Sequence, residues 1–289
     1  MQIDEFESQF KSALKEHYTY GPVSIESCAL ITDLVGADAV RLTNIVKRLV
    51  PELPGTPYQR TERLSWHTLG GDRYSSVKSM LAEVEKIRPD ILVVQRNLKT
   101  NPDDLVCGLS NYLDALTQTC RTPVLLLPEL TLDQLEEQIS EPLEVMVQTP
   151  HLVGDSSLIN WGLRFALPNG RLYLVHIENK RVFDQYIDII SRIPEIHTDI
   201  AQDSLREKLL SLPSEFIEQA RSVLRSKEPM IDVHGIVELG HRIVDYRRLI
   251  ETHNIELVIT YTQDEHLTAI NTIAYSLAIA FRDVPILLL

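Results

Sequence analysis

Cysteine is scarce in this chain. Cys28, Cys107 and Cys120 are its three thiols among 289 residues, widely spread and with no CxxC pair. Such residues read as small buried side chains in a reducing cytoplasm and exclude a disulfide framework. Also lacking is any basic block. The net charge is −13, divided as −6 through Ser140 and −7 after it. That balance suits neither a phosphate backbone nor anionic lipid, which excludes nucleic-acid binding as the main activity. No apolar run approaches the ~18 residues that span a bilayer. The opening "MQIDEFESQFKSALKEHY" is amphipathic and acidic, unlike a signal peptide. There is no GxSxG elbow, and Cys107 beside Gly108 has no base near it in sequence. The expectation is a cytoplasmic protein with no membrane span, no metal and no recognisable catalytic set.

What is present is a series of short aliphatic runs. Residues 27–32, 90–95 and 123–127 come first, and 143–148, 171–177, 231–237, 256–261 and 285–289 follow. They show little alternation, which predicts strands covered on both faces of a parallel sheet. Helical spacing fills the gaps: Leu42, Ile45, Val46 and Leu49 share a face, as do Val77, Met80, Leu81 and Val84, and Ile243, Tyr246, Leu249 and Ile250. Alternating strands and helices predict an α/β layered fold. At 289 residues and 44% hydrophobic, two domains are expected.

The two halves echo each other. "TDLVGAD" from Thr32 returns as "PHLVGDS" from Pro150, an offset of 118; "EKIRPDILVV" from Glu85 returns as "ETHNIELVIT" from Glu251, an offset of 166; "TPVLLL" from Thr122 returns as "VPILLL" from Val284, an offset of 162. The order is kept, so the pattern reads as one unit written twice, with a length difference of 48 residues between the first two echoes. Asp33 and Asp90 are only 57 residues apart, whereas the matching interval from His151 to Glu256 is 105. The first copy is therefore expected to lack a strand and a helix, with residues 50–62 as a Pro-rich bridge and a helix over 3–16 covering the bared surface. The acidic stretch 129–141 reads as a linker helix.

The order strand, helix, "LYLVHIEN", helix, "VHGIVELGHRIVDYRRLIETHNIELVIT" and closing "VPILLL" resembles the universal stress protein family. The resemblance implies α/β architecture with two flavodoxin-like parallel sheets and flanking helices, the first copy shortened. The domains would be 1–128 with an N-terminal helix, a 129–142 linker helix and a full-length 143–289. It also implies pairing through the closing strands, within a pseudo-dimer or between chains. Some members bind ATP, through an aspartate after the first strand and a G-x2-G-x9-G-(S/T) cradle after the fourth. By position Asp33 is that aspartate, while the cradle glycines fall on Gln95, Leu98 and Gly108, followed by Leu109, with Ser110 one residue late. In the second copy the first strand ends in Pro150 and His151, and the glycine positions hold Tyr261, Asp264 and Ala274, followed by Tyr275.

A phosphate cradle needs inward N–H groups and no Cβ in the way. Leu98 and Tyr261 block it, and Asp264 adds like charge. Losing three charge-assisted bonds at ~1.5–3 kcal/mol each removes most of a micromolar affinity. The expected function is thus a binding or regulatory role in the stress response without family-type ATP binding, as a homodimer joined through the "PVLLL" and "PILLL" strands, whose edges would otherwise be open. The alternative is an adenine-nucleotide binder or slow ATPase using Asp33, Gly108 and Ser110. A third reading makes the 178–227 insertion a lid over an enzyme site. A small-molecule ligand is compatible with the first; His151 could touch one at the sheet's carboxyl edge, but its plainer reading is an exposed loop histidine.

Remaining polar groups have plainer readings. Asp232 and His234 share a strand face, and with Glu238 and His241 they match no metal motif; Gly240 is expected to open the next helix and turn His241 away. His176 reads as a packed strand-end residue. "LGGDRYSS" over 69–76 reads as a turn before a helix, and "YRR" over 246–248 as a solvated helix face.

Overall fold

The computed structural model describes residues 17–52, 63–100, 109–148, 156–261 and 272–289. The expected helix over 3–16, most of the 50–62 bridge, Cys107, Gly108, His151 and Asp264 lie outside these residues. In chain order the elements are β1 (Ser27–Ile31), α1 (Gly36–Val46), β2 (Ser65–Leu69), α2 (Val77–Ile87), β3 (Ile91–Val94), α3 (Asn111–Thr119), β4 (Val124–Leu126), α4 (Leu132–Gln138) and β5 (Glu144–Gln148). Then come α5 (Ser156–Phe165), β6 (Arg171–Asn179), α6 (Lys180–Ser191), α7 (Thr198–Lys227), β7 (Asp232–Gly240), α8 (Arg242–His253), β8 (Leu257–Thr260), α9 (Thr272–Ala280) and β9 (Ile286–Leu288). The fold is α/β, and every aliphatic run of the sequence forms a strand. Among the described residues between Asp33 and Asp90 the chain makes a helix, a strand and a helix.

The described residues fall into two units, one of 23–143 with 256–289 and the other of 17–22 with 144–255. The first holds strands in the order β2-β1-β3-β4-β9-β8. All its pairs are parallel except β4 with β9, which run antiparallel with Val124 opposite Leu288 and Leu126 opposite Ile286. Ile91 to Val94, Leu257 to Ile259 and Ile286 to Leu287 are fully buried, as strands covered on both faces must be. Local signals set the helices. Ser76 and Ser79 form a reciprocal capping box at the start of α2, which ends on Arg88 in the left-handed region. Thr131 and Gln134 form another at the start of α4, within the acidic stretch expected to be helical.

The closing strands pair with each other within the chain, as β4 and β9. β4 lies between β3 and β9, and β9 lies between β4 and β8. The aliphatic edges that motivated dimerisation through the closing strands are filled within the chain.

The second unit holds β5-β6-β7, all parallel, with β6 and β7 in unbroken register from Arg171 opposite Asp232 to Asn179 opposite Gly240. The C-terminal half of α7 lies on β7. A Cβ on Gly235 would sit 2.4 Å from Ile217 Cγ2, so glycine is what lets the helix approach. Phe216, Ile217, Ala220 and Leu224 are buried, which makes that part of the 178–227 insertion core. Residues 17–20, expected with the first copy, bond instead to this unit: Tyr18 donates to Asn160 Oδ1 at 2.6 Å, Thr19 N–H to Ser156 Oγ at 2.9 Å, and Tyr20 to Glu228 Oε1 at 2.5 Å. Strand β7 continues through Gly240, and α8 opens at Arg242 with His241 as its N-cap, two residues later than expected. Tyr246 is fully buried, so only the arginines of "YRR" can face solvent. Among the described residues no helix is long and apolar enough to cross a membrane.

Candidate functional site

Strand β1 delivers Asp33 to the carboxyl edge of its sheet, where α/β folds place ligands. Its carboxylate is already engaged from two sides. Tyr74 Oη donates to Oδ1 at 3.0 Å, and the backbone N–H of Lys99 donates to Oδ2 at 2.5 Å. Tyr74 also lies 3.1 Å from Thr32 O. Burial, then the Asp33 charge and hydrogen bond, push the Tyr74 hydroxyl well above its ordinary range. Lys99 has φ of 52°, a left-handed conformation that turns its N–H toward Asp33. Its ammonium donates to Gly71 O at 2.8 Å and sits 5.1 Å above the Tyr74 ring, a cation–π contact. Gly71 must be glycine, because a Cβ there would lie 2.3 Å from Asp33 O.

The residues after β3 complete the arrangement. Gln95 Oε1 accepts from Thr32 Oγ1 at 2.5 Å and from Asp33 N–H at 3.3 Å. Leu98 is fully buried. Arg96 is 4% exposed and donates to Ala278 O and to Phe281 O, the latter at 3.0 Å, which places a cation on the C-terminal end of α9. Burial draws its pKa down to about 10. Gln95 and Leu98 stand at two of the cradle-glycine positions, and together with Arg96 they fasten this segment to the core and to the Asp33 turn. Ser110 is buried and caps α3, its Oγ accepting from Leu113 N–H at 3.3 Å. The structure thus places Asp33 and Ser110 on separate structural duties and brings Asp33 together with Tyr74, Lys99 and Gly71, which the sequence did not single out as its partners.

The other unit carries a second polar locus. His176, at the carboxyl end of β6, meets Glu178 Oε2 at 3.2 Å. Burial pushes Glu178 up, but the His176 hydrogen bond and charge, with Arg242 nearby, outweigh it and hold the carboxyl below its ordinary range. Arg242 donates to Ile177 O at 3.1 Å. An open groove of about 730 Å³ lies between α6 and the start of α8, lined by Arg181, Asp184, Gln185, Asp188, Ile189 and His241. Its carboxylates pair with Lys180 and Arg192. His234 pairs with Asp232 at 2.8 Å, the strand-face contact that their spacing allows. No group of three or more His, Cys, Asp or Glu is placed to hold a metal among the described residues.

No family model matches the sequence, and no curated protein matches it. Among solved structures, the chain is similar to a universal stress protein from Archaeoglobus fulgidus DSM 4304, at 10% identity over 92% of this chain and 96% of that one, with a TM-score of 0.49. It is similar also to a functionally unknown protein from Pseudomonas aeruginosa PAO1, at 12% identity over 92% of each chain, with a TM-score of 0.47.

Proposed function

We propose that this chain is a tandem universal-stress-type protein with a non-enzymatic binding or regulatory role in the cytoplasmic stress response, and that it works without family-type ATP binding. One observation carries the reading. Asp33, the aspartate that would face adenine, accepts hydrogen bonds from Lys99 N–H and Tyr74 Oη. A nucleotide would have to displace both and still find no glycine at positions 95 and 98.

Thermal-shift titration with ATP and Mg²⁺ tests this. The expected result is no change in melting temperature at millimolar nucleotide. A saturable rise that Asp33→Ala abolishes would establish the nucleotide-binding alternative instead.

A further inference from the structure

Strand β7 ends its sheet, and among the described residues no strand pairs with its outer edge. Asp232 donates its backbone N–H to Gly170 O at 3.1 Å, and the register with β6 is continuous. Residues 232, 234, 236, 238 and 240 therefore turn both backbone groups toward β6, while Val233, Gly235, Val237 and Leu239 turn theirs outward. One outward group is occupied, since Arg221 Nε donates to Val233 O at 2.9 Å. Among the described residues no other bond to this outward row is formed. Gly235 is exposed, and the side chains of His234 and Glu238 are 42% and 36% exposed. The strand has no proline, no lysine and no bulge, devices that commonly protect an edge.

We propose that this edge is the docking surface for a second copy of the chain, with the two β7 strands antiparallel about a two-fold axis at Ile236. The sequence "DVHGIVELG" is self-complementary in that register. His234 lies opposite Glu238 of the second copy, and Glu238 lies opposite its His234. Ile236 meets Ile236 of the second copy. Gly235 and Val237 of the two copies exchange main-chain hydrogen bonds, as the outward-facing row requires. A histidine–carboxylate hydrogen bond and paired apolar groups directly across a ladder are stabilising.

Neighbouring registers fail. An axis at Gly235 sets Asp232 opposite Glu238, which repel. An axis at Val237 sets Ile236 opposite Glu238. A shift of pairing by a single residue sets an outward-facing residue against one that faces β6. Only the Ile236 axis satisfies charge, apolar contact and backbone parity together, and an isologous contact of this kind closes as a dimer. The bond from Arg221 to Val233 O marks one end of the ladder.

Sedimentation velocity of the full chain at micromolar concentration tests the proposal. The wild type is expected to be dimeric. Val237→Pro removes an outward N–H and no bond to β6, so it should give a monomer with unchanged circular dichroism and melting temperature. His234→Glu sets like charges across both pairs and should raise the dimer Kd by about tenfold or more. Adding Glu238→Lys to that variant sets opposite charges across both pairs and should recover the dimer, which a damaged fold would not do. A monomeric wild type, a dimer that Val237→Pro leaves intact, or a double variant no tighter than His234→Glu would each overturn the proposal.

Discussion

Lys99 donates its backbone N–H to Asp33 Oδ2 at 2.5 Å. The bond joins the turn after β1 to the segment after β3, and Tyr74 closes it from the other side at 3.0 Å. Asp33→Ala should therefore cost about 1–3 kcal/mol of stability, because the Lys99 N–H loses its acceptor and Tyr74 keeps only Thr32 O. Asp33→Asn, which retains one oxygen, should cost less. Urea midpoints of the three proteins decide the matter; an alanine variant as stable as the wild type would show that the aspartate is not structural.

Arg96 should tolerate no ordinary replacement. Its planar fork reaches two carbonyls at the end of α9, a geometry that a lysine ammonium cannot reproduce. Arg96→Met should lose about 2–3 kcal/mol, with Arg96→Lys recovering only part of it. Denaturant unfolding followed by circular dichroism reads both.

Strands were the legible part of this fold, and the reason lies in burial. Residues such as Ile91 to Val94 are covered on both faces, so they must be aliphatic and they stand out in the sequence. The strand that went unread, β2, is Ser65–Leu69, "SWHTL", an edge strand whose burial alternates with exposure. Only one side of it is under apolar constraint, and five residues are too few for the alternation to be distinctive. The Asp33 position was legible, but its partners were not. Tyr74 and Lys99 come from two other segments, and nothing in their local sequence marks a hydrogen bond across 41 or 66 residues. Likewise "PVLLL" and "PILLL" announced strands with edges to fill; which partner fills them is a property of topology alone.

Alkaline pH should weaken the hold on residues 17–22. Tyr20 has its pKa pushed up to about 12 by burial, then by the hydrogen bond to Glu228 and its charge. Below pH ~10 the phenol is protonated folded and unfolded alike, and its contribution is whole. As pH rises from there toward about 12 the unfolded chain loses the proton first, so stability falls through that window. Tyr20→Phe should lessen this slope in denaturant titrations run at successive pH values, other raised tyrosines such as Tyr74 supplying the rest.

Acid should act on the other polar locus with the opposite sign. Glu178 is held below its ordinary range, so its stabilisation is present above the usual glutamate pKa and is lost as pH falls beneath it. Melting temperatures recorded from pH about 6 to about 3 should drop less steeply for Glu178→Gln than for the wild type. Equal slopes would mean that the His176–Glu178 contact contributes nothing to folding.

The antiparallel seam between β4 and β9 also has a consequence for how the protein is made. On the ribosome, β1 to β4 emerge long before the strand that covers the edge of β4. The whole stretch from β5 to α8 must be translated in between. The earlier part of that sheet therefore waits with an unpaired aliphatic edge, and it becomes complete only when Ile286 to Leu288 leave the exit tunnel. A pause or truncation before those residues would leave the nascent chain displaying "VLL" as an adhesive strand.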